Sequence, residues 1–239
     1  MSSSATTAAT PTTKPPPVAE AVPVHDEPEK AHRLCNEWVA SGLSNNKSIQ
    51  FLLKTLVDSG CTPPDKFIRC TQCKQPQAGG FGVLESSDKL TKPQCEKSYD
   101  DIKHQLQTSE STKLLPEIFL CQQYLENEKH VHRTLHHELI HAIDFCRVKD
   151  MNPVHNCVHL ACTEIRATNL SAECGFWSEL PRMSKFAGHG AECVKRRSLL
   201  SVRANPICRD EAETYVQAAM PRCSRDYYPY DRHPNERSP

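Results

Sequence analysis

The sequence has no excess of either charge: 29 Lys and Arg balance 29 Asp and Glu over 239 residues. A nucleic-acid binder needs a basic surface, and this balance leans away from that class, so no nucleic-acid partner is expected. No run of about 18 apolar residues occurs, so no membrane-spanning helix is expected and any membrane attachment is peripheral. Residues 1–28 lack the apolar core of a secretory signal and contain no Arg, which makes them a poor amphipathic presequence. They are rich in Ser, Thr, Ala and Pro, cannot bury enough surface to offset chain entropy, and are expected to form a disordered tail. One domain is expected over residues 29–235, with 86–115 as a long polar loop or insertion.

Cysteine is what the chain has in abundance. The 13 cysteines stand at 35, 61, 70, 73, 95, 121, 146, 157, 162, 174, 193, 208 and 223. Spread along the whole folded region, they suit a disulfide framework and hence an oxidising compartment. Because the count is odd, at least one thiol is free, intermolecular or metal-bound. Oxidising chemistry without a secretory signal points to the mitochondrial intermembrane space, where small cysteine-rich proteins are trapped by oxidation. Cys70-Thr71-Gln72-Cys73 has no second such pair, so it reads as two half-cystines before it reads as a zinc knuckle.

Apolar spacing predicts helices over 29–42, from Asn45 to Gly60, over 127–148, 157–170, 189–203 and 209–220. Phe67–Cys70, Phe81–Leu84 and Glu117–Cys121 are strand candidates. The strongest helix carries Val131, Leu135, Leu139 and Ile143 in one apolar row. In the 157–170 helix, Leu160, Ile165 and Ala167 are core candidates.

On that strongest helix lies His137-Glu138-Leu139-Ile140-His141. Two histidines four residues apart project from one helix face and can share one zinc ion at about 2.0–2.1 Å. Glu138, beside the first histidine, is placed to take a proton from an attacking water and pass it to a leaving amine. The bland alternative is a solvated helix face with satisfied histidines. Its mid-helix position among apolar residues, with a strand candidate just upstream, favours the metal. A third ligand is required. Asp144 and Arg147 stand where a metzincin has Gly and His, which excludes that class. Glu164, on the next predicted helix, is the favoured third ligand, with His159, His155 and Asp144 as rivals. Asp144 could instead orient an imidazole. His136 points about 100° away from His137 and reads as a neighbour. The sequons at Asn46 and Asn169 have no role outside the secretory pathway.

The run from Thr134 to Arg147 resembles the mitochondrial inner-membrane protease family that serves ATP synthase assembly. The run from His159 to Cys174 is similar to that family's second signature. Gly79-Gly80-Phe81, Leu120-Cys121 and the segment from Cys223 to Pro234 look like its other landmarks. The resemblance implies an α+β, zincin-like metalloprotease domain with a small sheet, stapled by disulfides that the intermembrane-space oxidative import machinery makes. It implies a zinc endopeptidase bound peripherally to the inner membrane on the intermembrane-space side. Its substrate and client would be ATP synthase subunit 6 (subunit a), trimmed of its presequence and chaperoned into the membrane sector. His137 and His141 match the family's metal positions and Glu138 its catalytic position. The alternatives are an assembly chaperone with little proteolytic role, or a nuclear DNA-repair metalloprotease, which the spread cysteines argue against.

Overall fold

The computed structural model describes residues 23–86, 113–149, 151–153, 155–175 and 189–234. The expected tail therefore lies outside the described residues up to position 22, as does the expected insertion between 87 and 112.

Six helices and one three-stranded sheet make up the described chain. Helix α1 (Pro28–Asn45) opens with Pro at its first position, where the missing N–H has no helical partner to lose. Its buried stripe is Ala31, Cys35, Val39 and Gly42, while Leu34 and Trp38 are only half-buried. Helix α2 (Lys47–Asp58) is capped by Asn46, whose side chain accepts from Ser48 N and Ile49 N. The expected cap, Asn45, instead ends α1, because the two helices join with a single residue between them.

The strands are β1 (Ile68–Thr71), β2 (Gly79–Ser86) and β3 (Lys113–Cys121). Their order is β1-β3-β2, with β1 parallel and β2 antiparallel to β3. Pairing of β2 with β3 runs to Ser86↔Lys113, so residue 86 and residues 113–115, expected in the loop, are strand instead. The close fit at the β2 start requires glycine: a Cβ on Gly79 would lie 2.7 Å from the Phe119 carbonyl oxygen and 2.9 Å from Thr134 Cγ2.

Helix α3 (Glu128–Arg147) is capped by Asn127 and buries Val131, Leu135, Leu139 and Ile143 completely. That row packs α3 against α1, α2, β2 and β3 in the main core. Helix α4 (Cys157–Leu170) is capped by Asn156 and packs across α3. Its buried positions include Ala161, Ile165 and Ala167, with Leu160 only partly covered. Helices α5 (His189–Ala204) and α6 (Ala212–Cys223) close a second core over α4. Helix α6 begins three residues later than expected. The segment before it is a turn in which Asn205 accepts from Ile207 N and Cys208 is tied back to Cys157.

Twelve cysteines pair: 35–70, 61–146, 73–121, 157–208, 162–223 and 174–193. The two cysteines of the Cys70–Cys73 motif go to different partners, as half-cystines and not as a knuckle. The remaining cysteine, Cys95, lies outside the described residues. Burial of aliphatic side chains supplies the main driving force, and each link adds about 2–4 kcal/mol by restricting the unfolded chain.

Candidate metal centre

Helix periodicity places His137 and His141 one turn apart on the side of α3 that faces α4. Their Nε2 atoms stand 3.1 Å apart. Across the α3–α4 contact, Glu164 Oε2 lies 3.6 Å from His137 Nε2 and Glu164 Oε1 lies 3.7 Å from His141 Nε2. Among the described residues, these three form the one group of His, Cys, Asp and Glu side chains close enough to share an ion. The rivals lie elsewhere. His155 is exposed, and His159 Nδ1 accepts from Asn152 N. Asp144 is taken by cations: Arg166 Nε approaches its two carboxylate oxygens at 3.0 and 2.9 Å, and Arg147 Nε adds a third contact at 2.9 Å.

The outer nitrogen of each imidazole is held differently. His141 Nδ1 lies 2.8 Å from Thr163 Oγ1, and that hydroxyl donates to Asp144 Oδ2 at 3.2 Å. Thr163 therefore accepts from His141, so Asp144 reaches the imidazole through a hydroxyl. His137 Nδ1 has Glu173 Oε1 at 3.3 Å, an ion-pair distance whose line of approach falls short of an aligned hydrogen bond. With both Nδ1 atoms facing acceptors, both rings turn Nε2 towards one point.

Do these residues fit a metal ion? Glu164 Oε2 is buried with no aligned hydrogen-bond donor. Glu138, Glu164 and Glu173 bring three carboxyl groups beside two imidazoles in a region almost closed to water. Buried groups of this kind need a compensating cation. The edges of 3.1, 3.6 and 3.7 Å bracket the roughly 3.3 Å expected between ligands of a tetrahedral zinc at about 2.0–2.1 Å. The donor set fits.

The electrostatics express the same demand. Burial pushes the His137 pKa down, but Glu173 and Glu164 outweigh it and hold the imidazole well above its usual range. Burial takes His141 down to about 4, against the pull of Glu164. Burial likewise raises Glu164, but His141 and His137 bring it below the usual carboxylate value. Glu138 is 6% exposed, and burial pushes it up to about 7 despite His137 and a hydrogen bond from the Phe81 backbone. That last contact ties the carboxylate to β2, an edge strand of the sheet.

Residues 33–231 match the peptidase M76 family. The chain belongs to the peptidase M76 family. It is 32% identical to the mitochondrial inner membrane protease ATP23 homolog of Xenopus laevis, over 85% of this chain and 75% of that protein. It is 34% identical to mitochondrial inner membrane protease ATP23 of Coccidioides immitis, over 87% of this chain and 76% of that protein. The Homo sapiens homolog is 28% identical over 87% of this chain and 73% of its own length. No solved structure matches. Family membership makes the chain a peptidase, as the resemblance of its two long motifs implied. No described helix is long and apolar enough to cross a membrane.

Three contributors to this region were not singled out in the sequence. Glu173 stands just after α4 and Arg197 on α5, and Arg197 Nε donates to Glu173 Oε2 at 2.7 Å. Ser201, one turn farther along α5, hydrogen bonds to Glu164. Within the second motif, the cysteine that follows Glu173 was the available signal: Cys174 pairs with Cys193 and brings α5 alongside.

Proposed function

We propose that the chain is a zinc-dependent metalloendopeptidase of the zincin type, formed by a single domain over residues 29–235. One observation carries the reading: Nε2 of His137, Nε2 of His141 and the Glu164 carboxylate converge within 3.1–3.7 Å in a partly buried setting that calls for a cation. His137, His141 and Glu164 would hold the zinc. When bound, zinc supplies a Lewis acid that polarises the scissile carbonyl and makes an attacking water more acidic.

The chain's own groups do the rest. Glu138 takes a proton on its carboxylate from the attacking water and delivers it to the leaving amine. The amide of Phe81 fixes the orientation of Glu138. The outer edge of β2 carries no strand among the described residues and receives an extended substrate through backbone hydrogen bonds, which are largely indifferent to side chains. Thr163 and Asp144 keep the His141 ring in its tautomer, and the walls of α3 and α4 limit water.

The resemblance of the two long motifs supports the finer reading. The enzyme acts on the intermembrane-space side of the inner membrane, as a peripheral protein. It removes the presequence of ATP synthase subunit 6 and chaperones that subunit's assembly. The six disulfides are consistent with oxidative import. The test compares zinc content and cleavage of the subunit 6 precursor by wild type and Glu138→Gln, both from an oxidising host. Zinc in both with cleavage in wild type alone is expected. Bound zinc without cleavage in either overturns the protease reading, and a folded chain without zinc overturns the metal site. Retained subunit 6 assembly with Glu138→Gln is the expected sign of a separate chaperone role, and loss of assembly refutes that role.

A further inference from the structure

The two imidazoles at the metal centre are braced from behind by unlike devices. Behind His141 stands a chain of neutral and charged groups, Thr163 and then Asp144, all on α3 and α4. Behind His137 stands a single carboxylate, Glu173, in the turn after α4. Glu173 is nearly buried, its side chain 13% exposed, and each of its oxygens has a separate task. Oε1 faces His137 Nδ1 at 3.3 Å, and Oε2 accepts from Arg197 Nε at 2.7 Å.

The division follows from how the chain is tied at this point. Ala172, one residue before, takes the left-handed backbone conformation (φ 60°), which turns the chain back towards α3. Cys174, one residue after, is linked to Cys193 on α5. Arg197 lies four residues beyond Cys193, so the same face of α5 presents both the disulfide and the guanidinium to Glu173. The carboxylate is therefore fixed by its own backbone turn, by a covalent link beside it and by a cation on its far oxygen. An acceptor so fixed selects the tautomer of His137 that carries its hydrogen on Nδ1 and leaves Nε2 facing the Glu164 side.

We propose that Glu173 is the positioning residue for His137, and that Arg197 on α5 sets Glu173 for that task. The proposal rests on the reading of His137, His141 and Glu164 as the metal ligands. It makes α5 part of the metal site, although none of its residues would touch the ion.

The experiment measures Co(II) and Zn(II) binding to the full oxidised chain by chelator competition, together with the visible absorption of the Co(II) form. The chains compared are wild type, Glu173→Gln, Arg197→Ala and Arg197→Lys. Outer partners of metal-binding histidines typically contribute about 10–100-fold in affinity. Glu173→Gln is expected to weaken Co(II) binding within that range and to shift the Co(II) absorption bands. Arg197→Ala should move both readouts the same way by less, and Arg197→Lys should restore them. Glu173→Gln with wild-type affinity and spectrum overturns the proposal. Should Glu173→Gln fail to fold, the half-exposed Arg197 decides: unequal affinities of the Ala and Lys variants support the proposal and equal ones overturn it. A wild-type chain that binds neither ion sinks the reading of the ligands themselves, a result distinct from the variants all binding alike.

Discussion

Arg166→Met is the sharpest test of how the helices around the site are joined. Arg166 is 1% exposed, as is Asp144, to which its Nε donates at 2.9 and 3.0 Å. Its Nη2 donates to the Tyr228 carbonyl at 2.6 Å, and its Nη1 to the Asp226 carbonyl while pairing with the Asp226 carboxylate. One guanidinium thus joins α3, α4 and the segment after α6. Methionine keeps much of the aliphatic volume and removes every donor. Breaking a buried pair by deleting one partner costs about 3–5 kcal/mol. Arg147 still reaches Asp144 at 2.9 Å and Asp226 at 2.6 Å, which places the expected loss at the low end, about 3 kcal/mol. For a chain of this length each kcal/mol lowers Tm by about 2–4 °C, so a fall of roughly 6–12 °C is expected. Urea and thermal unfolding with disulfides intact provide the assay. The double variant Asp144→Leu with Arg166→Met should recover part of the loss, because no carboxylate deprived of its most buried partner remains beside α4. A single variant within about 0.5 kcal/mol of wild type, or a double variant that shows the two separate losses added in full, refutes the reasoning.

Two other outcomes follow from the same structure. Gly79→Ala drives a Cβ to within 2.7 Å of a β3 carbonyl oxygen that cannot move without breaking the sheet, so a loss of about 1–3 kcal/mol is expected in urea unfolding. His136, with Nε2 2.7 Å from the Tyr230 hydroxyl, is taken by burial to about 4, against 6.5 in the unfolded chain. Between those values the unfolded state binds the extra proton, so stability falls as pH drops from about 6.5 to 4 and is fully present above it. The His136 share of that loss reaches about 3 kcal/mol. Urea unfolding across the window should show a pH-dependent difference between wild type and His136→Gln. A constant difference refutes this account.

Much of this was legible in the sequence because the relevant signals are local. The α3 row at Val131, Leu135, Leu139 and Ile143 follows from helical period, and the same period puts His137 and His141 on one face. Glu164 was reachable as a carboxylate on the next helix, and the geometry brings it to the pair. The Asn45 cap missed by one residue because two adjacent asparagines serve equally well until the tertiary path chooses Asn46. The start of α6 was misjudged because a disulfide partner 51 residues away, Cys157, fixes the preceding turn. Glu173 and Arg197 escaped for the same reason. They are 24 residues apart, and only the folding of α5 over α4 makes them neighbours. Disulfide pairing was beyond reach as well, since many connectivities are open to 13 cysteines.

The six disulfides have a consequence for the order of events during oxidation. Three links lie wholly within residues 35–146 and three wholly within 157–223, and none of the six crosses the stretch between. A chain emerging amino end first can close all three of its leading links before the trailing set has appeared. The finished molecule is then two separately locked parts joined by one strand of backbone, with His137 and His141 in one part and Glu164 in the other. A single nick between residues 147 and 156 would leave two pieces with no described disulfide between them. A metal ion held by His137, His141 and Glu164 would bridge the two pieces.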